Sequence, residues 1–187
     1  MDSQANETDQ LVEIPYVDAT GAGAIDVARA EAGRFQAVIR AGREHYGSLA
    51  IGIGDIVSKG WLKRQQNRLI GEIAAVDSEA GKSGAWLLNL SYEWSCTTGA
   101  GPDPSGNGNR ILRTLDWPLD GLGETVVVAK FKGRCGPYYN VTWPGFVGVV
   151  TAMSPGRCAM SSQMCARMAA RRLRDTLLNS TGCPSTR

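Results

Sequence analysis

The spacing of apolar positions changes once along this chain, from a period of three to four residues to a period of two. In the first half, Ile25, Ala28, Phe35, Val38 and Ile39 recur at helical spacing. Asp26 and Glu31 lie early in that run and Arg43 late, the distribution a helix dipole favours, and Gly47 is the expected stop. Ile51-Gly52-Ile53-Gly54 reads as a bend. A second helix is expected from Ile56 to Ala75, with Trp61, Leu62, Leu69, Ile70 and Ile73 on its apolar side. Before these helices, Leu11 to Val17 carries β-forming residues that end at Gly21-Ala22-Gly23, and Ala80 to Gly84 closes the half.

The second half alternates. Trp86, Leu88, Leu90, Tyr92, Trp94 and Cys96 fall on one face, and Leu87, Asn89, Ser91, Glu93 and Ser95 on the other. That pattern predicts a strand ending at Cys96, with the cysteine on the tryptophan face. Further strands are expected at Ile111 to Trp117 and Thr125 to Phe131. Tyr138 to Trp143 and Phe146 to Thr151 read as a hairpin turning at Pro144-Gly145, and Ser154-Pro155-Gly156 as the next turn. Helices followed by antiparallel strands give an α+β fold in layers.

Composition narrows the function classes. At 187 residues, 43% apolar and 20% charged, the chain can enclose one sizeable core. Twenty basic residues against eighteen acidic leave a net charge of +2, so neither a nucleic-acid partner nor an anionic surface is expected. The cluster Arg167, Arg171, Arg172 and Arg174 reads as a solvated helix face. Met1 to Gln10 is polar, without the pattern of an export signal, and no apolar run approaches the ~20 residues that span a bilayer. The expectation is a cytoplasmic protein with no membrane span. Five cysteines without paired spacing and the single His45 argue against a metal site, and no cofactor is expected. Gly81-Lys82-Ser83 matches the tail of a phosphate loop, but Val76 stands where the motif needs its first glycine, so it reads as an ordinary loop.

The candidate chemistry centres on Cys96. Arg113 and Asp116 follow it on the next expected strand, after a Gly/Pro-rich loop. A catalytic thiol needs a base or a cation beside it. His45 is distant in sequence, whereas the α-amine of the cysteine itself is a usable base near neutral pH, provided the chain is cut between Ser95 and Cys96. Arg113 would then support negative charge on sulfur or bind substrate, and Asp116 would hold the new amine. Trp117, Asn140 and Trp143 are candidates to line a substrate pocket. Against these stand plainer readings: a buried free cysteine, a surface Arg113–Asp116 pair, a hairpin asparagine and core tryptophans.

Cys96-Thr97-Thr98, then Arg113-Thr114-Leu115-Asp116-Trp117-Pro118, resembles the nucleophile region of the cysteine N-terminal nucleophile (Ntn) hydrolases related to acid ceramidase, acylethanolamine acid amidase and choloylglycine hydrolase. Trp143-Pro144-Gly145-Phe146-Val147-Gly148 and Ser154-Pro155-Gly156-Arg157 resemble the acid-ceramidase side of that group, and the likeness covers roughly residues 85–157. The resemblance implies a partial αββα sandwich and autoproteolysis before Cys96. It also implies hydrolysis of a linear acyl amide at a non-peptide C–N bond through a thioester, without cofactor or metal. Residues 1–95 would be the helical N-terminal segment, retained by association with its other half after cleavage, and 96–157 the start of the Ntn-hydrolase sheet. After Arg157 the pattern departs from the family, so 158–187 are expected to be an atypical tail, such as a frameshift or premature stop would leave. Two other functions stay open: a truncated, inactive relative serving as an interaction module, and an acyltransferase that passes the acyl group to an amine.

Overall fold

The computed structural model describes residues 12–90, 95–134 and 136–161. They form an α+β fold. Strand β1 (Tyr16–Ala19) is followed by helices α1 (Ala24–Ala30), α2 (Ala32–Tyr46), α3 (Ser48–Arg64), α4 (Ile70–Ala80) and α5 (Ala85–Leu88). Then come β2 (Ser95–Pro102), β3 (Asn109–Asp116), a 3-10 turn (Leu122–Thr125), β4 (Val127–Gly133), β5 (Gly136–Thr142), β6 (Thr151–Ser154) and β7 (Cys158–Ser161). Five strands make one sheet in the order β1-β4-β5-β6-β7, antiparallel except that β1 joins β4 in parallel. β2 and β3 pair only with each other.

Two apolar clusters hold these elements together. Val17, Ala19, Val127, Ala129 and Phe131 line one face of β1 and β4 and meet Val27 of α1. The larger cluster joins Phe35, Val38, Ile39, Ile51, Leu62, Ile73, Val76 and Trp86 from the helices to Trp117, Trp143, Phe146, Val147 and Val150 from the second half. One expected helix is two: α1 places Val27 in the first cluster and Ala24 and Ala28 in the larger one, α2 adds Phe35, Val38 and Ile39 to the larger one, and the axis breaks at Glu31 between them.

Other local expectations change for equally physical reasons. The bend expected at Ile51-Gly52-Ile53-Gly54 lies inside α3, because Ile51 is fully buried and tertiary packing overrides weak helix propensity. Gly54 is there for close approach: a Cβ at that position would sit 2.7 Å from Leu87. The second helix is likewise split, into α3 and α4. Of the strand expected from Trp86, Ser95 onward is strand, while Ala85–Leu88 is a short helix and residues 91–94 lie outside the described set. A run as apolar as Trp86-Leu87-Leu88 carries no usable period. What selects the helix is Asp55, a buried carboxylate that accepts the N–H groups of Gly84 at 2.6 Å and Leu87 at 2.8 Å.

The hairpin expected to turn at Pro144-Gly145 does pair, as β5 with β6, but through an excursion from Trp143 to Val150 that dips into the core. The strand pattern expected to end at Arg157 runs on through Ser161, where β7 pairs with β6. Residues 162–187, including the Arg-rich stretch, lie outside the described set. No helix among the described residues is long and apolar enough to cross a membrane.

Two stability predictions follow from this packing. Gly145 has φ +86°, and a Cβ there would lie 2.2 Å from the ring of buried Phe35. Gly145→Ala is expected to cost about 2–4 kcal/mol in denaturant unfolding, from backbone strain and overpacking together. Burial pushes the Asp55 carboxyl above its ordinary value, against the opposing hydrogen bonds from Leu87 and Gly84. A raised carboxyl binds more protons folded than unfolded, so its favourable contribution is full in acid and is lost as pH rises through the raised value. The stability of wild type relative to Asp55→Asn should therefore fall as pH rises from the ordinary carboxyl range through the raised value; a flat difference would place the ionisation elsewhere.

Candidate active site

β2 and β3 form an antiparallel hairpin whose register decides which side chains meet. Ser95 pairs with Asp116, Cys96 with Leu115, Thr97 with Thr114 and Thr98 with Arg113. Side chains of directly paired residues share a face, and the face alternates at each step. Cys96, Thr98, Arg113 and Leu115 therefore form one face, half-buried against the protein. Thr97, Thr114 and Asp116 form the other and are exposed.

On the inner face, Arg113 makes a three-way connection. Its Nη2 donates to the Cys96 sulfur at 3.0 Å. Its Nη1 donates to the Val150 carbonyl at 2.8 Å and the Thr151 hydroxyl at 2.9 Å. Nearby, the hydroxyls of Thr98 and Ser161 lie 3.3 Å apart, joining the hairpin to β7. A planar guanidinium suits this task because its donors are fixed as a fork, so holding two groups on the sheet aims the third donor at the sulfur. Negative charge appearing on that sulfur would meet a cation already in place.

Asp116, three positions from Arg113 on β3, projects to the other face of the hairpin. It is on the face opposite the thiol, directly across from Ser95. The Ser95–Cys96 peptide bond thus runs past the Asp116 carboxylate on one side, while the sulfur reaches Arg113 on the other. The plain surface pairing of Arg113 with Asp116 does not fit a register that separates them by face.

The three candidate pocket residues are buried. Trp117 and Trp143 pack with ring centres 5.3 Å apart, and Trp143 meets Phe146 at 5.1 Å, in the tilted geometry aromatic pairs prefer. A cleft beside Trp143, walled by Phe35, Leu88, Asn89, Pro144 and Phe146, has room for about one water molecule. Asn140 is fully buried on β5. Its amide donates to the Gly148 carbonyl at 3.0 Å and accepts the Val150 N–H at 3.2 Å. It thereby braces the residue whose carbonyl holds Arg113.

Sequence reasoning passed over Asn89 and Thr151. Asn89 donates to Ala85 and Gly145 carbonyls at 2.8 and 2.9 Å and accepts the Val147 N–H at 2.7 Å, fastening α5 to the excursion. One amide inside the apolar run Trp86–Leu90 was the available signal. Thr151 carried none. His45, at the end of α2, stacks edge-on against Tyr46. Among the described residues no group of three or more His, Cys, Asp or Glu side chains is placed to hold a metal ion.

The bracing by Asn140 is testable on the thiol itself. Asn140→Ala would remove the acceptor of the buried Val150 N–H and a donor to the Gly148 carbonyl, costing about 1–3 kcal/mol. With Arg113 less well held, alkylation of Cys96 by iodoacetamide should change rate severalfold, while Thr142→Val, a buried change on the same strand, should leave that rate alone.

No family model matches the chain. Over 87 residues, 44% of its length, it is 31% identical to an uncharacterized protein of Acanthamoeba polyphaga mimivirus, and it spans about a quarter, 26%, of that protein.

Proposed function

We propose that this chain carries the nucleophile region of a self-processing cysteine amidase of the Ntn type, acting in the cytoplasm on a linear acyl amide. The observation that supports this most directly is the hairpin geometry: Arg113 is 3.0 Å from the Cys96 sulfur, and Asp116 is paired opposite Ser95. The resemblance of Cys96-Thr97-Thr98 and Arg113-Thr114-Leu115-Asp116 to that group points the same way.

In the first stage the Cys96 sulfur attacks the Ser95 carbonyl carbon. The C–N bond breaks, the Cys96 nitrogen takes a proton, and a thioester joins Ser95 to the sulfur. Water then cleaves the thioester, releasing the Ser95 carboxylate and restoring the thiol. The new amine lies beside Asp116, on the side of the strand that Ser95 has vacated. Asp116 orients it by charge-assisted hydrogen bonding.

In the second stage that amine accepts the thiol proton as sulfur attacks the substrate carbonyl. Arg113 meets the charge on sulfur. The amine portion leaves with a proton, an acyl thioester remains on Cys96, and water releases the carboxylic acid. No step calls on a metal or cofactor. The clusters shared by residues before and after Cys96, the β1–β4 pairing and the Asn89 bonds would keep the cleaved halves together.

The large apolar side chains exposed along α3 favour a second reading, an unprocessed relative without turnover that acts through its surface. Intact mass under denaturing, reducing conditions separates the two. The amidase reading expects two fragments, the second beginning at Cys96, with Cys96→Ala remaining full-length. Arg113→Lys keeps the charge but loses the fork, and processing should slow by about tenfold or more. Wild type that stays full-length under conditions where it is folded would favour the second reading.

A further inference from the structure

We propose that the outer face of α3 docks this protein on an anionic lipid surface. α3 buries Ile51, Asp55, Ser58 and Leu62 on one side. On the other it presents Leu49, Ile53, Ile56, Val57 and Trp61, exposed by 80%, 55%, 75%, 64% and 38%. Their spacing of four, three, one and four residues makes a continuous stripe along the helix. Scattered exposed apolar residues need no explanation, but five large ones on one helix face form a contiguous patch of the kind that marks an interaction surface.

The charges around the stripe select its occupant. The one acidic residue of α3, Asp55, points inward and caps α5. Lys63 and Arg64 are exposed at the C-terminal end of α3, and exposed Arg68 follows in the next turn of chain, whereas the Lys59 ammonium sits 4.9 Å from the centre of the Trp86 ring. A stable protein interface takes about 800 Å² and 20–30 residues from each partner, more than one helix face supplies. A lipid interface requires no complementary shape. It accepts a stripe of Leu, Ile and Trp into the acyl boundary while basic residues remain among anionic headgroups. α3 would lie along such a surface and not cross it. The inference needs only α3 and is independent of the amidase reading.

The test is flotation of the full chain with vesicles of phosphatidylcholine alone or mixed with phosphatidylserine. Binding is expected to the mixed vesicles and to be weaker to phosphatidylcholine alone. Ile56→Glu with Val57→Glu, both at exposed positions, should weaken binding by about tenfold or more while leaving the unfolding transition in place. Lys63→Glu with Arg64→Glu should remove the preference for phosphatidylserine. Cys96→Ala should float as wild type does, which separates this result from any failure of the catalytic reading. Absence of co-flotation, or binding that survives Ile56→Glu with Val57→Glu, would overturn the proposal. So would a dimer in light scattering that those two changes dissolve, since a second copy would then occupy the face.

Discussion

The Arg113 guanidinium is the constraint on which the arrangement around Cys96 depends. The β2–β3 hairpin shares no backbone pairing with the five-stranded sheet among the described residues, so side chains must place it. Leu115 leans on the larger core cluster, and Thr98 meets Ser161 on β7. Among the described residues Arg113 ties the sulfur-bearing face to the start of β6, through the Val150 carbonyl and Thr151 hydroxyl. Apolar contact alone would tolerate small shifts of the hairpin. Three directional bonds from one rigid fork do not, because misalignment weakens hydrogen bonds steeply.

What Arg113 holds must itself be held. The excursion from Trp143 to Val150 has no regular secondary structure, and buried backbone groups outside secondary structure need partners. Two side-chain amides supply them. Asn89 serves Gly145 and Val147 from the helical half, and Asn140 serves Gly148 and Val150 from the sheet. Amides suit this role because each presents a donor and an acceptor and so can satisfy a carbonyl and an N–H of the same strand of backbone. The position of Arg113 therefore depends on both halves of the chain. In the proposed reaction, cleavage before Cys96 would remove one covalent link and leave these bonds and the shared core in place.

How much of this was readable beforehand follows from the range of each interaction. The order of helices and strands was legible, because it rests on local periodicity. So was the grouping of Cys96 with Arg113, because two strands joined by one loop meet in a hairpin. The α5 segment was not legible: its helix depends on Asp55, remote in sequence, and on Gly42 and Gly54, which make room for Leu88 and Leu87. The role of Asn140 was hidden for a similar reason. A lone asparagine on a strand reads as a pocket or turn residue, and only the inward path of the excursion makes it a brace. The split between α1 and α2 belongs here too, since nothing in the residue pattern at Glu31 announces the break.

The alternation of side chains along β3 separates the two charged candidates. Arg113 and Asp116 are three positions apart, an odd number, so on a strand they must project to opposite faces. A pair meant to neutralise each other across a strand surface would more naturally be separated by two. Here the odd spacing puts the cation with the thiol and the carboxylate beside the peptide bond that precedes it. A buried structural cysteine would require neither placement. In the proposed amidase the two demands differ in kind: sulfur needs positive charge, and the amine released on the other side needs an acceptor. One hairpin meets both because its alternation keeps the arginine and the carboxylate from cancelling each other.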